Sequence, residues 1–226
     1  MPELLDSIEI ETGKSPSASV IWMHGLGADG NDFVPIVNEL DLDRTPAIRF
    51  LFPHAPMRPV TINNGLVMRA WFDVSLGDLE GQSRRADERG VRESQAQIAA
   101  LIEREAKRGV EPEHIVLAGF SQGGAIALQA GLRYPRRLAG VMALSTYLPL
   151  ADTLAREATP ANKATPIFMA HGIYDPLIPL AMGAGSMTLL TGFGYTLEWR
   201  QYPMPHSVCP QEIEDIGAWL RKVLRA

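Results

Sequence analysis

A serine between two glycines is the feature of this sequence that most directly indicates chemistry. Gly119-Phe120-Ser121-Gln122-Gly123 follows an apolar run and precedes a stretch rich in alanine and leucine. The pattern G-x-S-x-G between a strand and a helix predicts a tight turn with Ser121 at its apex, because the glycines remove Cβ atoms that would clash. Amide groups at the start of the helix would face an oxyanion beside that serine. Ser121 is therefore the predicted nucleophile of an acyl-transfer reaction.

Two histidines follow Ser121, and a base for such a serine comes after it in the chain. His206 and Asp175 each follow an apolar run, so both would lie at the carboxyl edge of a parallel sheet, beside the serine turn. The other histidine, His171, would have to use Asp152, which lies in an ordinary polar connection. We predict His206 as the base and later the acid, with Asp175 fixing the tautomer of its imidazole.

The first long apolar run ends in His24-Gly25-Leu26-Gly27. A His-Gly loop at that point supplies an N–H group to an oxyanion hole, so the amides of Leu26 and Gln122 are the predicted donors. The histidine of this loop is expected to be structural, because it precedes the serine. The loop and Gly30 also spell G-x-G-x-x-G, a dinucleotide fingerprint, but the acidic residue expected after the next strand is absent. We therefore reject a dinucleotide site.

Short apolar runs alternate with helical patterns along the chain, which predicts a doubly wound, mostly parallel sheet with helices on both faces. The predicted strands are nearly continuous in apolar residues, as expected when both faces are covered. They are Ala18–Met23, Ile48–Phe52, Ile115–Gly119, Val141–Leu144, Ile167–His171 and Leu197–Tyr202. The predicted helices are Asp87–Arg108, Gly124–Tyr134 and Pro210–Arg225.

One long connection, residues 53–86, interrupts this alternation. Within it, Val60–Ile62 and Leu66–Met68 flank Asn63-Asn64-Gly65, which predicts a short hairpin closed by an Asn-Gly turn. A connection of this length inside a compact domain is usually functional.

Composition limits the class of partner and the compartment. The 226 residues predict one domain, and the net charge of −5 argues against nucleic acid or an anionic membrane surface as the main partner. Cys209 is the only cysteine, so no internal disulfide forms. The acidic N-terminal stretch is unlike a signal peptide, and no apolar run approaches the roughly 20 residues of a membrane span. We expect a soluble, cytoplasmic protein.

Several stretches, in collinear order, resemble the carboxylesterase, lysophospholipase and acyl-protein thioesterase family of α/β-hydrolases. They are HGLGADGNDF, FPHAPMRPVTINNG with the later AWFD, GFSQGGAIAL, HGIYDPLIP and YPMPHSVCPQEIEDIGAWL. The resemblance implies the α/β-hydrolase fold without a large lid, a triad of Ser121, Asp175 and His206, and no metal or organic cofactor. It also implies a tryptophan beside the substrate groove, here Trp71, and makes a homodimer plausible.

Ester or thioester hydrolysis through an acyl-enzyme is the function that these features predict. Apolar residues near the site, including Leu177, favour an acyl chain over a charged substrate. Short esters, lysophospholipids and S-acylated proteins all remain open as substrates. Two alternatives are a dienelactone-type hydrolase, which usually has cysteine in place of Ser121, and a hydrolase fold used only for binding.

Overall fold

The computed structural model describes residues 4–75, 77 and 87–225. Seven strands of this part form one sheet in the order β1-β3-β2-β6-β7-β8-β9, and β4 and β5 form a separate hairpin. β1 pairs with β3 in the antiparallel direction, and every other neighbouring pair in the large sheet is parallel. In chain order the strands are β1 (Ser7–Glu11), β2 (Ala18–Met23), β3 (Ile48–Pro53), β4 (Met57–Val60), β5 (Leu66–Arg69), β6 (Ile115–Phe120), β7 (Gly140–Leu144), β8 (Ile167–Gly172) and β9 (Leu197–Tyr202).

Helices cover both faces of the sheet, which confirms the predicted architecture. One hydrophobic cluster lies between the sheet and α1, α2 and α4, and a second lies between the opposite face and α5. β2 is buried along its whole length, as a strand covered on both faces must be. The helices are α1 (Glu88–Lys107), α2 (Gln122–Arg133), the four-residue α3 (Leu154–Glu157), α4 (Leu180–Gly192) and α5 (Pro210–Val223).

The sequence patterns located six of these strands and three of the helices to within about two residues, but they missed β1, the short α3 and α4. β1 alternates isoleucine with polar residues and lies at the sheet edge, where only one side is covered. α4 contains three glycines, which are poor helix formers: Gly183, Gly185 and Gly192. Packing of this segment on β8 and β9 outweighs that weak local preference.

The predicted hairpin exists, but its first strand was wrongly placed. β4 ends at Val60, which pairs with Leu66, and the next three residues form a 3-10 turn instead of continuing the strand. Asn64 and Gly65 both have positive φ, and the Gly65 amide donates to the Val60 carbonyl, so the loop is longer than an Asn-Gly turn. Ile62 therefore belongs to the loop. Residue 76 and residues 78–86 of the same connection lie outside the described part of the chain.

Candidate active site

Ser121 occupies a strained turn between β6 and α2. Its φ of 54° and ψ of −120° are unusual for a residue with a side chain, and Gly119 and Gly123 make the turn possible. A Cβ on Gly119 would lie 2.3 Å from the carbonyl carbon and oxygen of Gly123, and one on Gly123 would lie 2.2 Å from the Met23 carbonyl oxygen. Thr146 Oγ1 donates to the Ser121 carbonyl oxygen at 2.7 Å. The surrounding backbone therefore holds the serine in this conformation.

Gly123→Ala is expected to reduce activity at least about a hundredfold, because backbone atoms of β2 have no room for the new methyl group. The β2 chain would have to move, and it leads directly into the loop that contains Leu26. Steady-state kinetics and thermal unfolding measure both consequences. Gly185→Ala in α4 is the matched control, because its Cβ would meet no atom within 4 Å. A Gly123→Ala protein with normal activity would contradict this tight packing.

Asp175 and His206 form a direct pair. His206 Nδ1 donates to Asp175 Oδ2 at 2.6 Å, while Asp175 Oδ1 accepts the amides of Leu177 and Ile178 at 2.9 Å each. Because a carboxylate only accepts hydrogen bonds, Nδ1 must carry the proton, which leaves Nε2 of His206 with a free lone pair. The pair thus has the protonation pattern of a base that can accept a proton from a hydroxyl.

His171 lies behind this pair and not in the cavity. Its side chain is fully buried, with Nε2 at 2.9 Å from the Ile178 carbonyl oxygen and 3.4 Å from Asp175 Oδ2. Burial lowers the pKa of His171, so its imidazole stays neutral at neutral pH. His171, the other candidate base for Ser121, therefore packs against Asp175 and does not line the cavity. Asp152 lies exposed in a separate 3-10 turn.

Three hydrogen bonds fix the loop after β2. His24 Nε2 accepts the Ala55 amide at 3.0 Å and its Nδ1 contacts the Gly25 carbonyl oxygen at 2.7 Å. Burial lowers the pKa of His24 to about 4, so this histidine is neutral and structural. Gly27, with φ of 77°, donates its amide to the Arg69 carbonyl oxygen at 2.9 Å. The glycine conformation and these bonds hold the loop beside the serine turn.

Trp71 does not have the groove position that the resemblance implies. It has no exposed surface, and its Nε1 donates to the His24 carbonyl oxygen at 2.9 Å, so it supports the loop from behind. Gln122 has a second role that the sequence reasoning missed. Its side chain accepts the Trp71 amide at 2.7 Å and donates to the Phe72 carbonyl oxygen at 2.6 Å. With these two hydrogen bonds in place, Phe72 lines the cavity and Trp71 does not.

A cavity of about 350 Å³ contains the serine turn and His206 in its walls. Leu26 and Gln122 line it as well, which places both predicted oxyanion residues beside Ser121. Most of the wall is apolar and comes from several loops: Gly25, Leu26, Ala28, Asp32, Ile62, Asn63, Phe72, Val74, Phe120, Ser121, Gln122, Tyr147, Leu177, Ile178 and His206. The cavity therefore brings together the predicted nucleophile, the predicted base and a mostly apolar wall.

Comparison with known proteins agrees with this geometry. The family model described as Phospholipase/Carboxylesterase matches residues 5–224. The chain belongs to this family. Acyl-protein thioesterase 1 of Gibberella zeae is 41% identical over 214 residues, which cover 92% of this chain and 91% of that protein. The carboxylesterase SOBER1 of Arabidopsis thaliana is 35% identical over 207 residues, covering 91% of this chain and 90% of its own length.

Solved structures show the same fold. The crystal structure of Arabidopsis thaliana SOBER1 superposes with a TM-score of 0.84 at 33% identity, covering 92% of this chain and 99% of that one. Acyl-protein thioesterase 2 of Zea mays superposes with a TM-score of 0.82 at 28% identity, covering 97% and 99%. The α/β-hydrolase fold and membership among carboxylic ester hydrolases are thereby confirmed for this chain.

Within the described ranges, no helix combines the length and apolar character that crossing a membrane requires. The same ranges contain no group of three or more histidine, cysteine, aspartate or glutamate side chains arranged to hold a metal ion.

Glu212 is a buried carboxyl group in α5, six residues after His206. Burial raises its pKa from 4.5 to about 8, the Asp215 charge adds to this, and the Cys209 backbone offsets part of it. The folded state therefore binds the Glu212 proton more tightly than the unfolded state does. Stability should fall as the pH rises from about 4.5 to about 8, because folding then opposes ionisation of this carboxyl.

Glu212→Gln should weaken the dependence of the protein's folding stability on pH in this range. We expect the loss of melting temperature between about pH 5 and pH 8 to shrink by several degrees, as measured by thermal unfolding across the range. Glu214→Gln is the control, because Glu214 is an exposed residue of the same helix and also loses one charge. Equal profiles for both variants would show that Glu212 is not the group responsible.

Proposed function

We propose that this protein is a serine hydrolase that cleaves carboxylic esters or thioesters through an acyl-enzyme on Ser121. The observation that carries the proposal is the 2.6 Å bond between His206 and Asp175 in a pair whose histidine lines the same cavity as the strained Ser121. A backbone conformation of this kind is retained at a functional position because the surrounding structure enforces it.

Each residue has one role in the proposed reaction. Ser121 Oγ attacks the substrate carbonyl while His206 Nε2 takes its proton, and Asp175 stabilises the imidazolium that results. The amides of Leu26 and Gln122 hold the oxyanion of the tetrahedral intermediate. His206 then protonates the leaving alcohol or thiol, and water discharges the acyl group by the reverse sequence of proton transfers.

The acyl part of the substrate should be apolar. Ile62, Phe72, Val74, Leu177 and Ile178 line the cavity with apolar side chains, and Leu177 is exposed. Burying methylene groups against such walls contributes about 0.8 kcal/mol per group. Relatives named acyl-protein thioesterase and carboxylesterase support the same class, with short esters, lysophospholipids and S-acylated proteins as candidate substrates. p-Nitrophenyl esters of increasing length, compared with a palmitoyl thioester, would rank these candidates.

A fluorophosphonate probe tests the function directly, because it reacts with a serine that an adjacent base activates. We expect stoichiometric labelling of the native protein, with the adduct on the peptide that contains Ser121 when it is mapped by mass spectrometry. Unfolded protein is the control, since it keeps the serine and loses the His206 arrangement. Failure of native protein to label, or a label on any other serine, would refute the proposal and favour a binding-only role for the fold.

The proposal extends to the setting in which the enzyme acts. We infer one catalytic domain, because the family model spans residues 5–224. We also infer that catalysis needs no metal or organic cofactor. We also infer a cytoplasmic location and a homodimer, since twofold dimers are the commonest assembly of soluble proteins. Analytical ultracentrifugation tests the assembly, with a monomer at all concentrations as the contradicting result.

A further inference from the structure

The residues that line the cavity pack on two different faces of the sheet. Ile62, Phe72 and Val74 belong to the hydrophobic cluster on the α1 and α2 face of the sheet or pack against it. Phe120 packs instead against the cluster on the opposite, α5 face. The cavity is therefore lined by residues that pack on both faces of the sheet.

Asp32 lines the same cavity as His206, and the residue after it, Phe33, packs on the α5 face of the sheet. Its neighbour Phe33 stacks on Trp22 and contacts Phe120, with ring centroids 5.3 and 5.7 Å apart, and Phe33 packs against the α5-side cluster. The Phe120 ring in turn lies 4.7 Å from the ring of His206. This row of rings connects the Asp32 turn to the catalytic histidine. Because His206 protonates the leaving group in the proposed mechanism, the leaving group must lie next to His206, at the end of this row of rings.

The charge of the cavity lining has one sign. Of the described residues that line the cavity, Asp32 is the only carboxylate, and none is a lysine or an arginine. Burial, with a smaller contribution from the Asp29 charge, raises the pKa of Asp32 from its usual value. Both effects disfavour the charged form of the carboxyl group, so a cation bound beside it would be stabilised.

We propose that Asp32 makes the enzyme prefer leaving groups that carry a positive charge near the scissile bond, such as amino alcohols and amino thiols. The proposal rests on the proposed function, because it concerns the leaving group of that reaction. A cation bound on the His206 side would neutralise the Asp32 charge, whereas an anionic leaving group would be repelled. A neutral acyl chain would be unaffected by this charge.

Three esters with one acyl group test the preference. They are butyrylcholine, its uncharged isostere 3,3-dimethylbutyl butyrate, and the anionic 3-(butyryloxy)propionate, with released acid followed by titration at constant pH. We expect kcat/KM to follow the order cation, neutral, anion, with about a fivefold step for one charge in a partly solvated site. High salt should shrink the steps, because the interaction is screened.

Asp32→Asn should reduce the cation-to-neutral ratio of kcat/KM about fivefold and remove its salt dependence. A ratio within one variant cancels any general effect of the substitution on folding or catalysis. Asp29→Asn is the matched control: it removes the same charge three residues away, outside the cavity wall, and should change the ratio much less.

Two outcomes would overturn the proposal, and they are distinguishable. An active enzyme whose wild-type ratios are equal, or unchanged in Asp32→Asn, overturns the role of Asp32 and leaves the hydrolase function intact. Absence of hydrolysis of all three esters, together with absence of fluorophosphonate labelling, overturns both. The salt titration of the wild-type enzyme gives an answer even where the variant folds poorly.

Discussion

Ser121→Ala is expected to lower kcat about a millionfold while leaving substrate binding almost unchanged. The substitution removes the one atom that would form the acyl-enzyme, and residual activity would come from the oxyanion amides and from binding alone. The turn should survive, because alanine keeps the Cβ that the turn already accommodates at a φ of 54°. Steady-state kinetics with a p-nitrophenyl ester measures the effect, and thermal unfolding checks the fold.

Ser145→Ala provides a matched control for that experiment. Ser145 also has positive φ, it is buried, and it follows β7, the neighbour of the strand that Ser121 follows. Within the part of the chain that the structure describes, its buried hydroxyl has no hydrogen-bond partner, so its removal should cost little. We expect kcat within a few fold of the wild type. A Ser121→Ala enzyme retaining more than about one part in a thousand of the activity would require a different nucleophile.

The serine turn could be predicted from sequence because its physical requirements are local. Glycine is required at positions 119 and 123 because a Cβ there would collide with nearby backbone, within the turn or at the end of β2. Both glycines are visible in the sequence motif itself. The same holds for Asp175 and His206, since each follows a strand at the carboxyl edge of the sheet. Strand ends bring distant residues together in a way that chain order already indicates.

Residues whose roles depend on packing between loops could not be predicted in this way. Trp71 was expected beside the groove, yet its indole is buried and Phe72 lines the cavity. The Gln122 side chain is hydrogen-bonded to the backbone of both residues. Asp32 carries no sequence signal of its own as a cavity residue. Its position follows from the contact of Phe33 with Phe120, which joins two segments almost ninety residues apart. Local patterns contain no information about contacts of that kind.

Asp175→Asn is expected to lower kcat about ten-thousandfold, with a much smaller effect on KM. Asparagine has the shape of aspartate, but its amide group has a fixed donor side and a fixed acceptor side. The amides of Leu177 and Ile178 require an acceptor at Oδ1, so the new NH₂ group would face His206. Two donors cannot share one bond, and Nδ1 of His206 would have to become the acceptor.

The tautomer of His206 is therefore the quantity that this substitution changes. With Nδ1 accepting, the proton moves to Nε2, which then has no lone pair to take the proton of Ser121. Fluorophosphonate labelling should slow in parallel with kcat, because both depend on the same base, whereas the melting temperature should change little. Asp152→Asn is the discriminating control, since Asp152 would be the acid if His171 were the base. Loss of activity in Asp152→Asn with normal activity in Asp175→Asn would reverse the assignment of the triad.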